Sequence, residues 1–156
     1  MKLAIEAAVQ SVKNGDYAHG AVVIKDGEVI ATGFEALKSV NDPVNGHAEI
    51  DAIRKACQKL DQPYLEGCIM YCTAEPCPMC ISAIIWAKLS DVVYGITRED
   101  MIAEMERVKR SSGEKFSWRQ IAISAEYIVR HGEPDVTLHP GFMREECRKL
   151  FDLTRK

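Results

Sequence analysis

Cys68-Ile69-Met70-Tyr71-Cys72, then Thr73-Ala74-Glu75-Pro76-Cys77-Pro78-Met79-Cys80 and the apolar run Ile81 to Lys88, then Asp91-Val92-Val93-Tyr94-Gly95, is the stretch that decides the architecture. Cys68–Cys72 is a short apolar run bounded by turn residues, the pattern of a buried strand. Thr73 to Pro76 turns the chain. A helix is expected from Cys77 to Lys88, with Pro78 in its first turn, where amide protons have no partners to lose. Asp91–Gly95 reads as another buried strand. Strand, helix, strand with short connections predicts a right-handed parallel crossover, the unit of an α/β layer structure.

Upstream, Leu3, Ile5, Ala8, Val9 and Val12 recur at helical spacing, which predicts a helix over 2–13 stopped by Asn14-Gly15. Ala21–Lys25 and Glu28–Thr32 read as strands joined by Asp26-Gly27, a dipeptide suited to the positive φ values of a tight hairpin. A long irregular stretch, 33–46, leads to a helix that starts at His47 and is ended by Asp61-Gln62-Pro63. Downstream, a charged helix is expected over 99–109 and a break at Ser111-Ser112-Gly113. The spacing of Phe116, Trp118, Ile121, Ala125, Ile128 and Val129 predicts a second helix, with Ser117 as cap and Gly132 as stop, although Ile121-Ala122-Ile123 also suits a strand. A last strand over 135–138 and a closing helix over 142–153 complete a single α/β domain spanning 1–156.

The net charge of −3 and pI near 5.8 argue against nucleic acid as a partner, since no strong basic field is present. The first fifteen residues form an amphipathic pattern rather than a leader peptide, and no apolar run is long enough for a membrane span. Of the six cysteines, Cys57, Cys68, Cys72 and Cys147 fall in apolar or helical patterns as reduced core thiols, which fits a cytoplasmic setting.

Cys77 and Cys80 need another explanation. With His47 they offer two thiolates and an imidazole, three of the four ligands of a tetrahedral zinc, leaving one position for water. Glu49, two residues beyond the histidine, is placed to reach that water without being a ligand. Both His47 and Cys77 open predicted helices, whose N-terminal amides and partial positive charge favour thiolate over thiol. One zinc per chain, with Glu49 as the proton carrier, makes a hydrolytic site. Two plainer readings compete. A redox Cys-x-x-C pair would leave His47-Ala48-Glu49 without a purpose, and a closed structural zinc would need a fourth ligand, for which Cys72 and His19 are the candidates.

The pairing His47-Ala48-Glu49 with Pro76-Cys77-Pro78-Met79-Cys80 is the H-x-E and P-C-x-x-C signature of zinc-dependent base deaminases. Together with Gly20-Ala21-Val22, Asp26-Gly27, Asn41-Asp42-Pro43, Ala83-Ile84-Ile85-Trp86-Ala87 and Val136-Thr137-Leu138, it resembles the cytidine deaminase-like superfamily, in particular its guanine deaminase and tRNA adenosine deaminase branches. The resemblance implies a three-layer α/β/α sandwich around a central five-stranded mixed sheet, strands one and two antiparallel, in a homodimer. It assigns zinc binding to His47, Cys77 and Cys80, the proton shuttle to Glu49, and a substrate contact to the Ala48 backbone amide. Pro78 and Trp86 resemble the guanine deaminase branch, and Trp86 is expected to wall the base pocket or to pack in the core.

The chain departs from the superfamily's pattern at several points. Where members often carry Gly-x-Asn, whose amide hydrogen-bonds the base, this sequence reads Gly33-Phe34-Glu35. An ionised carboxylate only accepts, so Glu35 as a substrate residue would favour a ring presenting donors. His19 precedes Gly20 where a small apolar or aromatic residue is usual, and is expected to line the pocket. Val44-Asn45-Gly46 is one residue longer than the usual approach to the histidine. From 99 to 132 the purine-reading acid of guanine deaminases has no clear counterpart, with Asp100, Glu104 and Glu106 as candidates. The resulting expectation is a deaminase of a free, guanine-like amino-heterocycle, with the last helix closing over a neighbouring subunit's site. A tRNA adenosine deaminase, suggested by Arg144, Arg148, Lys149, Arg155 and Lys156, is the alternative, followed by a cytosine or nucleoside deaminase.

Overall fold

The computed structural model describes residues 1–112 and 121–153, the side chains of 108–112 excepted. Its elements run α1 (Lys2–Lys13), β1 (Gly20–Lys25), β2 (Glu28–Phe34), α2 (Ala48–Leu60), β3 (Cys68–Ala74), α3 (Pro78–Trp86), β4 (Asp91–Ile96), α4 (Arg98–Ser112), α5 (Ala125–Val129), β5 (Thr137–Pro140) and α6 (Arg144–Leu153). The five strands form one sheet in the order β2-β1-β3-β4-β5. β1 pairs antiparallel with both β2 and β3, while β3, β4 and β5 are parallel. This is the mixed five-stranded sheet that the resemblance implied.

The sheet separates the hydrophobic core into two sides. On one side Ala48, Ala52 and Ala56 of α2, Ile81, Ile84 and Ile85 of α3 and Ala125 of α5 pack on Ala21, Val23, Met70 and Val92. On the other, Ala8 of α1 packs with Leu150 of α6, and Met101 of α4 packs with Cys147 of α6 against Ile96. Two glycines let the helices lie directly on the strands. A Cβ on Gly20 would meet the Ala4 carbonyl oxygen of α1, and one on Gly33 would meet the Ala48 carbonyl oxygen of α2 at 1.9 Å. Paired as Ala21↔Gly33 and Gly20↔Phe34, these residues point to opposite faces, so each glycine admits a different helix.

Several boundaries differ from expectation. β2 runs on to Phe34 instead of stopping at Thr32, because Gly33 and Phe34 continue its ladder with β1, and Glu35 therefore leaves the strand directly. α4 continues through Ser111 and Ser112, beyond the expected break. Of the expected helix across 116–129, the described residues form helix at Ala125–Val129, and Ile121-Ala122-Ile123 is neither helix nor strand. α5 is capped by Ser124, whose hydroxyl accepts the Tyr127 amide at 3.2 Å. Phe116, Ser117 and Trp118 lie outside the described residues, as do Arg155 and Lys156. Among the described residues, no helix is long and apolar enough to cross a membrane.

Candidate active site

The N-terminal ends of α2 and α3 converge. His47 is the N-cap of α2 and Cys77 the N-cap of α3, both in extended backbone conformation and neither bonding its own helix through its side chain. N-cap side chains ordinarily satisfy a helix amide. Here the imidazole and thiol are turned to each other instead: His47 Nδ1 lies 3.9 Å from Cys77 Sγ and 3.6 Å from Cys80 Sγ, and the two sulfurs are 3.5 Å apart. Cys80, one turn into α3, is fully buried.

These separations meet a demanding test. Zinc–sulfur and zinc–nitrogen bonds at tetrahedral angles place ligand atoms about 3.8 Å (S to S) and about 3.6 Å (N to S) apart. The three atoms are therefore already spaced as a tetrahedral ion requires, and they are the group of close ligand atoms found among the described residues. Neither Cys72 nor His19 joins it; the Cys72 sulfur faces the Val93 carbonyl oxygen at 3.9 Å instead. The donor set is three, as an open site needs, and not the four of a closed structural one.

The electrostatics favour a cation. The contact with Cys80 and, against the effect of burial, the contact with His47 bring the Cys77 thiol down to about 4. The Cys80 thiol is pushed far upward by Cys77 and by burial, so Cys77 is the first of the pair to ionise. His47 is raised to about 9, chiefly by Cys77. The three donor atoms are thus held in mutual contact, with Cys77 favoured as thiolate by its neighbours.

Glu49 lies in the first turn of α2, 9 % exposed, with Oε2 3.5 Å from Cys80 Sγ. Burial raises its carboxyl, and Cys77 adds to the rise. A buried carboxyl with a raised pKa beside a group that could hold a metal has the property a proton carrier needs.

Glu35 and His19 also reach this centre. Glu35 is 3 % exposed, and its Oε2 accepts the Ala48 backbone amide at 3.3 Å. Burial, reinforced by Glu49 and Asp16, raises it to about 8 against the pull of His47 and that amide. His19 is lowered to about 4 by desolvation first and by His47 second. Its carbonyl oxygen accepts the Glu35 amide at 3.4 Å, so the two departures from the superfamily's pattern sit on adjacent backbone. Trp86 is placed otherwise: it ends α3 with 82 % of its surface exposed, neither packed in the core nor enclosed in a pocket wall of this chain. Asp100 and Glu104 are engaged by α6, Asp100 by Arg144 and Glu104 by Arg148, with Arg107 of α4 also on Glu104.

Three buried groups that the spacing of residues did not single out build the frame. Glu75 joins separate segments, accepting the Arg98 amide at 2.8 Å and the Ala125 amide at 2.9 Å. Ser11 Oγ accepts the Glu35 amide at 2.9 Å. Asp16 takes the Lys38 and Ser39 amides through Oδ1, while its buried Oδ2 has no partner among the described residues. Glu75 adjoins the Pro-Cys motif, a signal of proximity to the site; Ser11 and Asp16 carry no comparable mark.

The sequence model of a family described as MafB19-like deaminase matches residues 1–130. The chain is 44 % identical over 101 residues to a guanine deaminase of Bacillus subtilis, covering 64 % of each, and 36 % identical over 94 residues to a tRNA-specific adenosine deaminase of Aquifex aeolicus, covering 60 % of this chain and 62 % of the relative. It thus spans just under two thirds of the length of these relatives. A solved structure from work on A-to-I editing by tRNA:A34 deaminases superimposes with a TM-score of 0.77 at 28 % identity, covering 96 % of both chains.

Proposed function

Because the chain belongs to the MafB19-like deaminase family, of the cytidine deaminase-like kind, we propose that it is a zinc-dependent hydrolase that removes an exocyclic amino group from a free amino-heterocycle, guanine-like in the first instance, and releases ammonia. The observation that carries this reading is the tetrahedral spacing of His47, Cys77 and Cys80 with the buried Glu49 carboxyl 3.5 Å from one of those sulfurs. Zinc held by the three residues supplies the Lewis acidity that lets water act as a nucleophile at neutral pH. Glu49 takes one proton from the attacking water and delivers it to a ring nitrogen, then takes the proton of the newly added hydroxyl and gives it to the departing amine as the C–N bond breaks. The Ala48 amide, on the residue between His47 and Glu49, is given to Glu35 Oε2 at 3.3 Å, so a contact with the ring requires that bond to be exchanged for one to substrate.

The alternative is deamination of adenosine in tRNA, supported by the likeness to the Aquifex aeolicus protein. The cations of α6 weigh against it. Arg144 and Arg148 are paired with Asp100 and Glu104, which leaves less charge for phosphates.

The test is zinc content and ammonia release for wild type and Glu49→Ala across a panel of purines, pyrimidines, pterins, triazines and tRNA. The expected result is retained zinc with ammonia release reduced about 10²–10⁴-fold in the variant. Retained zinc with undiminished release would remove Glu49 from the mechanism, and turnover confined to tRNA would select the alternative.

A further inference from the structure

Asp16 is a buried acid that the proposed chemistry does not use. It is 4 % exposed, and its Oδ2 is buried with no partner among the described residues. A buried oxygen left unpaired costs free energy, so the bonds made by the other oxygen must outweigh it. Oδ1 accepts two successive backbone amides, Lys38 at 2.6 Å and Ser39 at 3.3 Å, 22 and 23 residues further along the chain. Ala36 opens the turn to which they belong, its carbonyl oxygen accepting the Val40 amide at 3.1 Å. The methyl side chain of Ala36 offers those amides nothing, and Asp16 meets them from outside the segment, as a cap does.

The segment held in this way, 36–46, is stiff within itself. The Ala36 amide donates to the Gly46 carbonyl oxygen at 2.8 Å and closes its base. Asp42 binds the second half: its Oδ1 accepts the Val44 and Asn45 amides at 3.1 and 2.9 Å, and its carbonyl oxygen the Gly46 amide at 3.1 Å. An added Cβ on Gly46 would lie 2.4 Å from that carbonyl oxygen, so the packing leaves no slack. Such a segment moves as one body about its two ends, and both ends meet the candidate cluster. Gly46 is followed at once by His47, and Glu35, before Ala36, reaches the Ala48 amide. Lys38 Nζ adds a second contact to the strip that carries Asp16, 3.9 Å from the centre of the Tyr17 ring. That strip is itself anchored to α1, the Asp16 amide donating to the Ser11 carbonyl oxygen at 3.0 Å. His47 has a separate support: its carbonyl oxygen accepts the Asp51 amide at 2.9 Å as α2 begins.

We infer that Asp16 is a positioning residue for substrate, which docks the 36–46 segment as a preformed wall of the heterocycle's site while the metal ligands keep their own supports. This rests on the deaminase reading above and adds to it a residue that shapes the substrate site without touching the reacting atoms. The consequence for kinetics is specific. A wall that is docked for only a fraction of the time weakens apparent affinity by that fraction, whereas the bound complex, docked by definition, turns over at an unchanged rate. Each hydrogen bond shifts a docking equilibrium severalfold, so losing both lowers the docked fraction about tenfold or more.

The test uses guanine, 2,6-diaminopurine and adenosine as probes. Dissociation constants by calorimetry, ammonia release, zinc affinity and urea midpoints are measured for wild type, Asp16→Ala and Asp16→Asn, whose Oδ1 still accepts both amides. In Asp16→Ala the dissociation constant and KM rise at least about tenfold, with kcat within about threefold of wild type and zinc affinity unchanged. Asp16→Asn returns binding to within about threefold of wild type. An anchor serving stability alone would lower the urea midpoint and leave binding and KM unchanged, which overturns the inference. Zinc affinity that falls together with ligand affinity overturns it too, since the segment would then support His47, and so does an Asp16→Asn as weak as Asp16→Ala. Hydrogen exchange over 37–46 in wild type needs no variant: a bound probe slows it, and unchanged exchange overturns the inference. Weakened binding in Asp16→Ala without ammonia release by any protein leaves the inference standing and overturns the deaminase reading. Ammonia release with an unchanged KM in Asp16→Ala does the reverse, and no binding of any probe by wild type overturns both.

Discussion

The carboxylate of Glu75 accepts the backbone amide of Ala125 at 2.9 Å, joining the end of β3 to the start of α5, 50 residues further along the chain. Its other oxygen takes the Arg98 amide, and the Arg98 guanidinium holds the Ile121 and Ile123 carbonyl oxygens. One buried acid, two residues before Cys77, therefore ties α4, α5 and residues 121–123 to the turn that carries Cys77. Glu75→Gln replaces one accepting oxygen with a donor that faces an N–H. The expected cost is about 1–3 kcal/mol, read as a lower urea midpoint at unchanged slope. A midpoint equal to wild type would show that these bonds contribute nothing net.

Acid should loosen the seam between α4 and α6. Glu104 is buried, which alone would raise its carboxyl, yet Arg148 and Arg107 outweigh burial and hold it below the ordinary carboxylate range. Asp100 is likewise held down, first by Arg144. A carboxyl depressed in the folded state contributes stability that is fully present above its unfolded pKa of about 4 and is lost as pH falls through the folded value. Glu104→Gln should therefore flatten the decline of stability below about pH 4 relative to wild type. Parallel pH profiles for the two proteins would contradict this.

The proposed function divides the cysteines into two groups, with Cys77 and Cys80 as metal ligands and the others not. Cys80→Ala removes one of three donors from a cluster whose atoms are already correctly spaced, and its zinc affinity should fall by more than the ~10–100-fold that follows loss of groups behind metal ligands. Cys57→Ala, whose thiol faces the Pro63 carbonyl oxygen at 3.7 Å, should bind zinc as wild type does. Metal competition with a chromogenic chelator reads both, and equal affinities for the two variants would contradict the assignment.

Much of the fold was legible because periodicity and punctuation agree: strands β1 to β4 and helices α1 to α4 lie close to their expected places. So was the cluster, since His-x-Glu and Cys-x-x-Cys can do little else together. What local pattern could not carry was decided by long-range contacts. The 121–124 stretch has helical spacing, but Arg98 takes the Ile121 and Ile123 carbonyl oxygens, and Glu75 takes the amide that starts α5. Trp86 has the residue type of a core or pocket wall, yet as the final residue of α3 it falls on the helix's outer face. The burial of Glu35 depends on β2 running two residues further than its alternation suggested, which only the pairing of Gly33 with Ala21 reveals.

Gly33 connects that pairing to the site. An added Cβ there would lie 1.9 Å from the Ala48 carbonyl oxygen and 2.6 Å from the Ala52 amide, both backbone atoms of α2 that no rotamer change can move. The first turn of α2 carries Ala48 and Glu49 after its N-cap His47 and receives the Glu35 carboxyl, so relief of the clash must shift these residues as one body. Gly33→Ala should therefore cost at least the ~1–3 kcal/mol of core overpacking, and should also lower zinc affinity although no ligand is altered. Gly27→Ala is the control, since nothing lies within 4 Å of its added Cβ and only the positive φ of the hairpin turn is strained. It should lose stability while binding zinc normally. Zinc affinity that falls in Gly33→Ala and not in Gly27→Ala would identify the β2–α2 contact as the support of the metal site, and equal affinities would show that α2 can yield without carrying His47 with it.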